Sequence, residues 1–436
     1  MSSSSQLFKR VFLPALLFFA VAGFATRFAV DRDFRSWFDP AFWRAWVRVG
    51  YVMNLAHQDY LHPDAVTYDK LSEHALDHLL DGLDPYTTYL PPDKFLELTN
   101  QGDQTRVGVG VEIEKRSGRV QVTHVFPDSP AFNAQWQVGD RIVAIGDTDT
   151  RDFSVTDVSN LLHGAEGSHV KVTLDRLGSS DLPPETLTRH SFDIPSIRDA
   201  QLYPNGVGYM RLTEFGRHSG EEFSRQLRQF EDQGMSALVL DLRDNGGGLL
   251  DAAPEVLDPL FKSGQLVTYT EGIAGENDEQ RYTTSGAGDV HFAGPMAVLV
   301  NENSASAAEI VAGALQVTRR AVLVGQRTFG KGIVQSVVDL GDGSGVRLTT
   351  QAYFLPNGTS INAKGIEPNV PVPLSPEQSE LLSLQRDDLR RLTPEEFTQF
   401  YGFAPQPDPQ LETAVAIVLA AGDHFFLPLP KAPSTP

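Results

Sequence analysis

Between residues 207 and 324 the sequence alternates short apolar runs with longer amphipathic stretches, and this alternation restricts the fold more than any other feature. Three of the runs, at 237–242, 296–300 and 321–324, are almost entirely apolar. Such runs are typical of strands that are buried on both faces of a parallel sheet. The stretches between them are long enough for crossover helices. We therefore expect an α/β core with a largely parallel sheet.

The surrounding segments complete this expected core. A further strand is predicted at 207–212. Helices are predicted beside the strands at 220–233, 249–260 and 307–316. Residues 264–294 are polar and rich in glycine, so we expect an insertion or a lid there. Beyond Pro371 the chain is rich in proline and charge, with one more helix expected at 411–421 and an extended or disordered end from residue 427.

The apolar residues change to a period of two between residues 105 and 197. Valine alternates with glycine from 107 to 111, and further short apolar runs follow. This pattern predicts short strands separated by turns, interrupted by one helix at 155–162. We therefore expect a separate β-rich domain, preceded by a mainly helical region at 31–100.

The N-terminus has the composition of a targeting segment. Lys9 and Arg10 precede an uncharged stretch at 11–25, which ends in small residues. A basic start, an apolar middle and small residues at a cleavage position predict a secretory signal peptide. An uncleaved anchor in the inner membrane is the alternative, because the stretch is only somewhat short for a full span. In both cases we expect the body of the protein in the periplasm or another extracytoplasmic compartment.

Charge and cysteine content exclude several classes of function. The formal net charge of −20 argues against nucleic-acid binding, because phosphate contacts need a basic surface. The sequence contains no cysteine, which excludes disulfides, thiolate zinc sites and cysteine nucleophiles. The G-x-S-x-G elbow of many serine hydrolases is also absent from the sequence, so we set a serine–histidine–acid triad aside.

Ser306 lies in a segment rich in serine and alanine, directly after the second of the apolar runs. Loops at the carboxyl ends of parallel strands are where α/β proteins place their chemistry. We expect Asn303 or Ser304 to cap the following helix and Ser306 to lie in its first turn, where the N–H of Ala307 can bind an oxyanion. Two interpretations stay open from this segment alone: a catalytic serine, or a serine that only caps and packs.

Lys331 lies in the loop 328–332, directly after the third apolar run. A lysine is ordinarily protonated at neutral pH and becomes a base only where burial disfavours its charge. The two flanking glycines allow close backbone approach and Phe329 is apolar, so Lys331 is a candidate base for Ser306. A surface lysine with a buried stem is the alternative. Gln335 would share a face with Lys331 in a strand, and its amide is a candidate to orient the amine.

Three consecutive glycines follow the first apolar run, in the loop 244–248. Glycines can turn main-chain N–H groups inward without steric cost. The N–H of Gly247 is therefore a candidate to complete an oxyanion hole with that of Ala307. Phosphate binding is disfavoured because neither the P-loop order nor G-x-G-x-x-G spacing is present. A purely structural turn stays open.

Several motifs, in this order, resemble those of the carboxyl-terminal processing proteases, also called tail-specific proteases, which carry a PDZ domain. The resemblance covers the chain from about Ser36 to Ala421. The motifs are GLDPYTTYL at 82–90, VGVGV at 107–111, DLRDNGGG at 241–248, SASAAEI at 304–310, TFGKGIVQ at 328–335, PNG at 356–358 and KGIEP at 364–368. Ala308 stands where this family often has a third serine.

The resemblance implies a serine endopeptidase with a Ser-Lys dyad. In this family pattern Ser306 is the nucleophile, Lys331 the general base and Gln335 the partner that orients it. The N–H groups of Gly247 and Ala307 would hold the oxyanion. No metal and no cofactor are implied.

The family fold is a ClpP/crotonase-like α/β core with an inserted PDZ domain and an N-terminal helical segment. The expected regions are a signal peptide or membrane anchor at 1–30, a helical region at 31–100, the PDZ domain at 101–197, the serine protease core at 198–370 and a helical or extended tail at 371–436. The PDZ domain would recognise the C-termini of protein or peptide substrates through the loop that contains Val109, Gly110 and Val111.

A binding protein is the alternative function: a PDZ scaffold or pseudoprotease that is held inactive without a partner. The intact Ser306, Lys331 and Gln335 argue against a loss of activity, but they are compatible with an inactive resting state. A regulatory adaptor protein and a homo-oligomer stay open as partners.

Overall fold

The computed structural model describes residues 39–99, 105–116, 118–176, 182–273, 275–286, 292–388 and 393–421. The chain divides into two compact units. The first comprises Met1–Pro91 and Asp339–Arg347, and the second Pro92–Val338 and Leu348–Pro436. The predicted signal peptide or anchor and the end of the chain from residue 427 lie outside the described residues. Within the described ranges, no helix combines the length and the apolar character needed to cross a membrane.

The first unit contains two helices, α1 (Pro40–Asp59) and α2 (Tyr68–Leu80). The hydroxyl of Thr67 caps the second helix by accepting a backbone N–H. A short strand, β1 (Thr88–Leu90), then pairs in antiparallel fashion with Gly345–Arg347. The predicted helical character of this region is confirmed for the residues that the structure describes.

The second unit begins with α3 (Pro92–Thr99) and continues into a β-rich domain. Its strands are β2 (Thr105–Gly108), β3 (Val111–Arg116), β4 (Arg119–Val125), β5 (Arg141–Ile145), β6 (Thr148–Asp149), β7 (His169–Asp175), β8 (Glu185–Thr188) and β9 (His190–Asp193). An antiparallel sheet has the order β3-β4-β5-β7-β8, with β6 beside β5, and β2 pairs with β9.

Two helices accompany these strands, α4 (Pro130–Asn133) and α5 (Val155–Leu162). Helix α5 has the predicted bounds, and its Val158 is fully buried in a core with Val122 and Ile142. Helix α4 was not predicted, because four residues are too few for a helical period to be recognised. The β-rich domain therefore has its own hydrophobic core, as its period of two suggests.

The remaining strands and helices form the α/β core and the C-terminal segment. The strands are β10 (Ile197–Leu202), β11 (Val207–Leu212), β12 (Ala237–Asp241), β13 (Leu266–Gly272), β14 (Gly275–Thr283), β15 (Met296–Val300), β16 (Val322–Gly325), β17 (Ile333–Asp339), β18 (Gly345–Phe354) and β19 (Val370–Pro371). The helices are α6 (Ser219–Asp232), α7 (Ala252–Leu257), α8 (Ala307–Val317), α9 (Pro376–Asp388), α10 (Pro394–Tyr401) and α11 (Pro409–Ala421). Asp339 of β17 and Gly345–Arg347 of β18 belong to the first unit.

The central sheet has the order β10-β11-β12-β15-β16-β19. Strand β10 is antiparallel to β11, and the other neighbours are parallel. Both faces of this sheet are buried. Leu240 and Val298 pack with the core that includes α6, α7 and α8, whereas Val239 and Leu299 pack with Val418 of α11. The predicted parallel sheet is confirmed, and burial of both faces explains why its strands are apolar throughout.

A second sheet contains strands that were not predicted in the segment 264–294, where an insertion or a lid was expected. Strands β13 and β14 form an antiparallel hairpin there, and β13 also pairs with the end of β18. The hairpin escaped detection because many of its side chains are polar and partly exposed, including Glu271, Glu279 and Arg281. A strand with one exposed face does not produce an apolar run.

The C-terminal segment also differs from the prediction of one helix. Helices α9 and α10 precede α11, and each has a well-buried apolar side chain, Leu382 and Phe397 respectively. The other residues of α9 are mostly charged or polar, so its sequence shows no clear apolar face, and α10 has only eight residues, about two helical turns. The structure thus adds two helices before the predicted one in a region that was expected to be helical or extended.

Candidate active site

Ser306 is the residue that caps α8, at the turn between β15 and the helix. Its φ of 57° and ψ of −120° are unusual for an L-residue, which indicates a strained strand-to-helix turn. The expectation that Asn303 or Ser304 caps this helix was wrong. The hydroxyl of Ser304 is buried instead and donates to the carbonyl of Leu242 at 2.7 Å. Ala307 is the first residue of the helix, and its N–H donates to no described residue.

A buried carboxylate connects the serine segment with the lysine segment. Glu309 of α8 is 0% exposed. Its Oε2 accepts hydrogen bonds from the N–H of Ser306 at 3.0 Å and of Lys331 at 2.9 Å. Its Oε1 accepts from the N–H of Gly330 at 2.8 Å and from the hydroxyl of Thr328 at 2.5 Å. Four donors thus compensate one buried charge and hold the two segments together.

Sequence reasoning overlooked Glu309. The signal was present, because a serine followed three residues later by a glutamate is the capping-box pattern. What the pattern could not reveal is that the same carboxylate also binds the loop around Lys331, 22 residues further along the chain.

Tyr353 of β18 makes a second connection between the two segments. Its hydroxyl donates to the carbonyl of Ser306 at 3.2 Å and is in close contact with the carbonyl of Lys331. Burial, and then the charge of Glu309, raise the pKa of Tyr353 well above 10.0, so the hydroxyl keeps its proton. Ser306 and Lys331 therefore share two binding partners, and both side chains are half-buried.

Gln335 lies in β17, four residues beyond Lys331. Its Nε2 is buried and has no hydrogen-bond partner among the described residues. A buried amide without a partner costs about 1–3 kcal/mol. Such groups are uncommon in native structures and call for an explanation, of which a catalytic role is one.

Gly247 packs directly against the serine. Its φ is 99°, and a Cβ at this position would lie 2.7 Å from the Cβ of Ser306 and 3.0 Å from the nitrogen of Ala307. Only glycine fits there. The N–H of Gly247, however, donates to Asn245 Oδ1 at 2.8 Å, because the Asn245 side chain folds back over its own loop. The loop is where the sequence predicted it, but this N–H is not directed toward an oxyanion in the structure.

The residues predicted to bind substrate in the β-rich domain line a groove beside β3. Val109, Gly110 and Val111 border a cavity of ≈ 240 Å³, together with Ser159 and Leu162 of α5. Strand β3 is at the edge of its sheet as far as the structure describes it. The N–H groups of Val109 and Gly110 donate to no described residue. An open strand edge with free N–H groups at one end can accept a peptide as an added strand.

The fold and the site together define a class: a protease with an α/β core and a PDZ domain. Residues 206–372 match peptidase family S41, and residues 121–176 match a PDZ domain. The chain is 35% identical over 327 residues to a carboxyl-terminal-processing protease of Picosynechococcus, covering 74% of this chain and 78% of the relative. It is 36% identical over 322 residues to a chloroplastic C-terminal processing peptidase of Tetradesmus obliquus, covering 70% and 68% respectively.

A solved structure agrees with the fold. A Bacteroides fragilis protein described as an S41 protease superposes with a TM-score of 0.52, at 20% identity, covering 86% of this chain and 98% of that one. The chain belongs to the carboxyl-terminal-processing proteases of peptidase family S41. The predicted family, fold class and PDZ domain are confirmed.

Proposed function

We propose that the chain is a serine endopeptidase in which Ser306 is the nucleophile, Lys331 the general base and Gln335 the group that orients the amine. Neutral Lys331 takes the proton of the Ser306 hydroxyl, and the Ser306 oxygen attacks the scissile carbonyl. The lysine then returns the proton to the leaving amine, and water hydrolyses the acyl-enzyme. The observation that carries this proposal is the joint binding of the two backbones by Glu309 and Tyr353.

The oxyanion would be held by backbone N–H groups at the start of α8 and in the glycine loop. Ala307 supports the first role, since its N–H donates to no residue in the described part of the chain and lies at the positive end of the helix dipole. The N–H of Gly247 can supply the second donor only when it no longer donates to Asn245 Oδ1. The proposal therefore includes a side-chain movement of Asn245 when substrate binds.

The PDZ domain would select substrates by their C-termini. A peptide adds as a strand to the free edge of β3, and its carboxylate is held by the N–H groups of Val109, Gly110 and Val111. The groove beside β3 supports this role. The substrates are then proteins or peptides with an accessible C-terminus, and a regulatory adaptor would act by presenting them.

The composition of the N-terminal segment supports an extracytoplasmic location. Retention of the segment would anchor the protein in the inner membrane, whereas cleavage would release it. N-terminal sequencing of the mature protein distinguishes the two outcomes.

The catalytic proposal is tested with an unstructured protein substrate. Wild type should cleave it, and Ser306→Ala and Lys331→Ala should each reduce kcat/KM by at least about 10³-fold. The same substrate with an amidated C-terminus should be cleaved more slowly if the PDZ domain binds the free carboxylate. Equal cleavage by wild type and both variants would remove the Ser-Lys dyad from consideration.

An inactive resting state is the second candidate, and one observation favours it. The N–H of Gly247 is occupied by Asn245, so the oxyanion hole is incomplete in this conformation. A PDZ scaffold that becomes a protease only with a partner would show no cleavage by wild type alone. Cleavage that begins on addition of a C-terminal peptide would identify a switch rather than a permanent loss of activity.

A further inference from the structure

The glycine loop of the site begins at two charged residues that are bound by the C-terminal segment. Arg243 is 1% exposed. Its Nε and Nη2 donate to the carboxylate of Asp241, at 2.9 Å and 2.6 Å. Its Nη1 lies 2.8 Å from Asp408 Oδ2 and donates to Gln410 Oε1 at 3.0 Å. Burial alone would lower the pKa of Arg243, but the charge of Asp241 outweighs it and raises this pKa.

Asp408 and Gln410 also fix the beginning of α11. The carboxylate of Asp408 accepts the N–H groups of Gln410 and Leu411, both at 3.1 Å. The side chain of Gln410 donates to the carbonyl of Val372 at 2.9 Å. The Asp408 side chain therefore both caps α11 and binds Arg243, and the Gln410 side chain binds Arg243 and the chain at Val372. This links the position of α11, which covers one face of the central sheet, to the start of the glycine loop.

Asp244, the second of these charged residues, is bound both by the loop before Ser306 and by helix α9. Its φ is 59°, a conformation that costs energy for a residue with a side chain. Its Oδ1 accepts hydrogen bonds from Asn301 at 2.8 Å and Asn303 at 2.9 Å, both in the loop that leads to Ser306. Its Oδ2 is in close contact with the guanidinium of Arg386 in α9. Burial alone would raise the pKa of Asp244, but the Arg386 charge and the two amides lower it.

Helix α9 is itself attached to the segment before α11. Gln385 Nε2 donates to the carbonyl of Gln406 at 2.6 Å, and the N–H of Gln406 donates back to Gln385 Oε1 at 2.7 Å. Arg386 follows directly in the sequence. The contact between Arg386 and Asp244 is thus supported by the two hydrogen bonds that the neighbouring Gln385 makes with Gln406.

We propose that the C-terminal segment positions the glycine loop for catalysis, with Arg386, Asp408 and Gln410 as positioning residues. These residues act through Arg243 and Asp244, which fix the start of the loop that ends against Ser306 at Gly247. Loss of Arg386 leaves a strained Asp244 without its cationic partner, and the loop samples other conformations. The inference rests on the proposed function, because it assigns the loop to the oxyanion hole.

The test compares Arg386→Leu and Arg386→Lys with a matched control, Arg225→Leu, in the full chain. Arg225 is exposed on α6, and among the described residues it makes only a long ion pair with Glu221, at 3.7 Å. At a temperature where all variants are folded by near-UV circular dichroism, Arg386→Leu should reduce kcat about 10- to 100-fold with KM changed less than about twofold. Arg386→Lys should recover part of kcat, and Arg225→Leu should match wild type.

Hydrogen exchange of residues 244–248 gives a readout that does not depend on cleavage. Exchange there should be faster in Arg386→Leu than in wild type, and unchanged in Arg225→Leu. A kcat within about twofold of wild type, or unchanged exchange in this loop, would overturn the positioning role. If Ser306→Ala retains wild-type cleavage, the proposed function fails, whereas the exchange comparison still decides whether Arg386 orders the loop.

Discussion

Replacing Glu309 by glutamine changes one atom at the centre of the site, where four hydrogen-bond donors converge on one carboxylate. Each oxygen of Glu309 accepts two donors, and the amide of glutamine offers only one oxygen. If the amide nitrogen faces Ser306 and Lys331, both N–H groups lose their acceptor and meet another donor. If it faces Thr328 and Gly330, the N–H of Gly330 loses its acceptor and Thr328 must reorient.

The magnitude follows from these contacts. A buried donor that loses its acceptor costs about 1–3 kcal/mol, and loss of the charge weakens the remaining bonds. We expect Glu309→Gln to lower the free energy of unfolding by about 4 kcal/mol. Since Ser306 and Lys331 then lose one of their two common binding partners and keep only Tyr353, we also expect kcat/KM to fall about 100-fold, as for a displacement of about 1 Å in other active sites.

The assay combines urea unfolding with steady-state cleavage of an unstructured substrate. Glu302→Gln is the matched control, because Glu302 is exposed in the loop before the helix and the substitution is the same. It should leave both quantities close to wild type. A folded Glu309→Gln variant with kcat/KM within about threefold of wild type would refute the view that this carboxylate aligns the serine and lysine segments.

Three further outcomes are expected. The rate of the chemical step should rise from mildly acid to alkaline pH, because only neutral Lys331 can accept a proton; a flat profile would contradict the lysine base. Gly110→Ala should weaken binding of a peptide with a free C-terminus at least about tenfold by fluorescence anisotropy, since its φ is 80° and the added Cβ would lie 2.0 Å from the Cβ of Ser129. The pKa of Asp244 is lowered in the folded protein, so its ionised carboxylate stabilises the fold at pH values above 3.8, the usual pKa of this group. This stabilisation is lost as the pH falls below that value. The difference in unfolding free energy between wild type and Arg386→Leu should therefore shrink below that pH, and a constant difference would contradict the ion pair.

The fold was predictable where both faces of an element are buried. Strands β11 and β15 have the predicted bounds, because a fully buried strand requires an uninterrupted apolar run. Helix α5 also has its predicted bounds, which its capping serine and apolar spacing made recognisable. The hairpin of β13 and β14 and the helix α9 were missed because many of their side chains are polar, and α10 was missed because it is only eight residues long.

The sequence alone predicted the alternating strands and helices of the parallel core, the serine, lysine and glycine loops at the ends of its strands, and the family to which the chain belongs. These features depend on local periodicity and on short motifs, both of which can be recognised from residues that are close together in the sequence. Only the tertiary structure revealed that Glu309 binds both the serine and the lysine segments, that Asn245 occupies the N–H of Gly247, and that Arg386 reaches Asp244 from 142 residues further along the chain. Such contacts form only where the packing of helices and strands brings together side chains that are far apart in the sequence. A local sequence pattern carries no information about this packing.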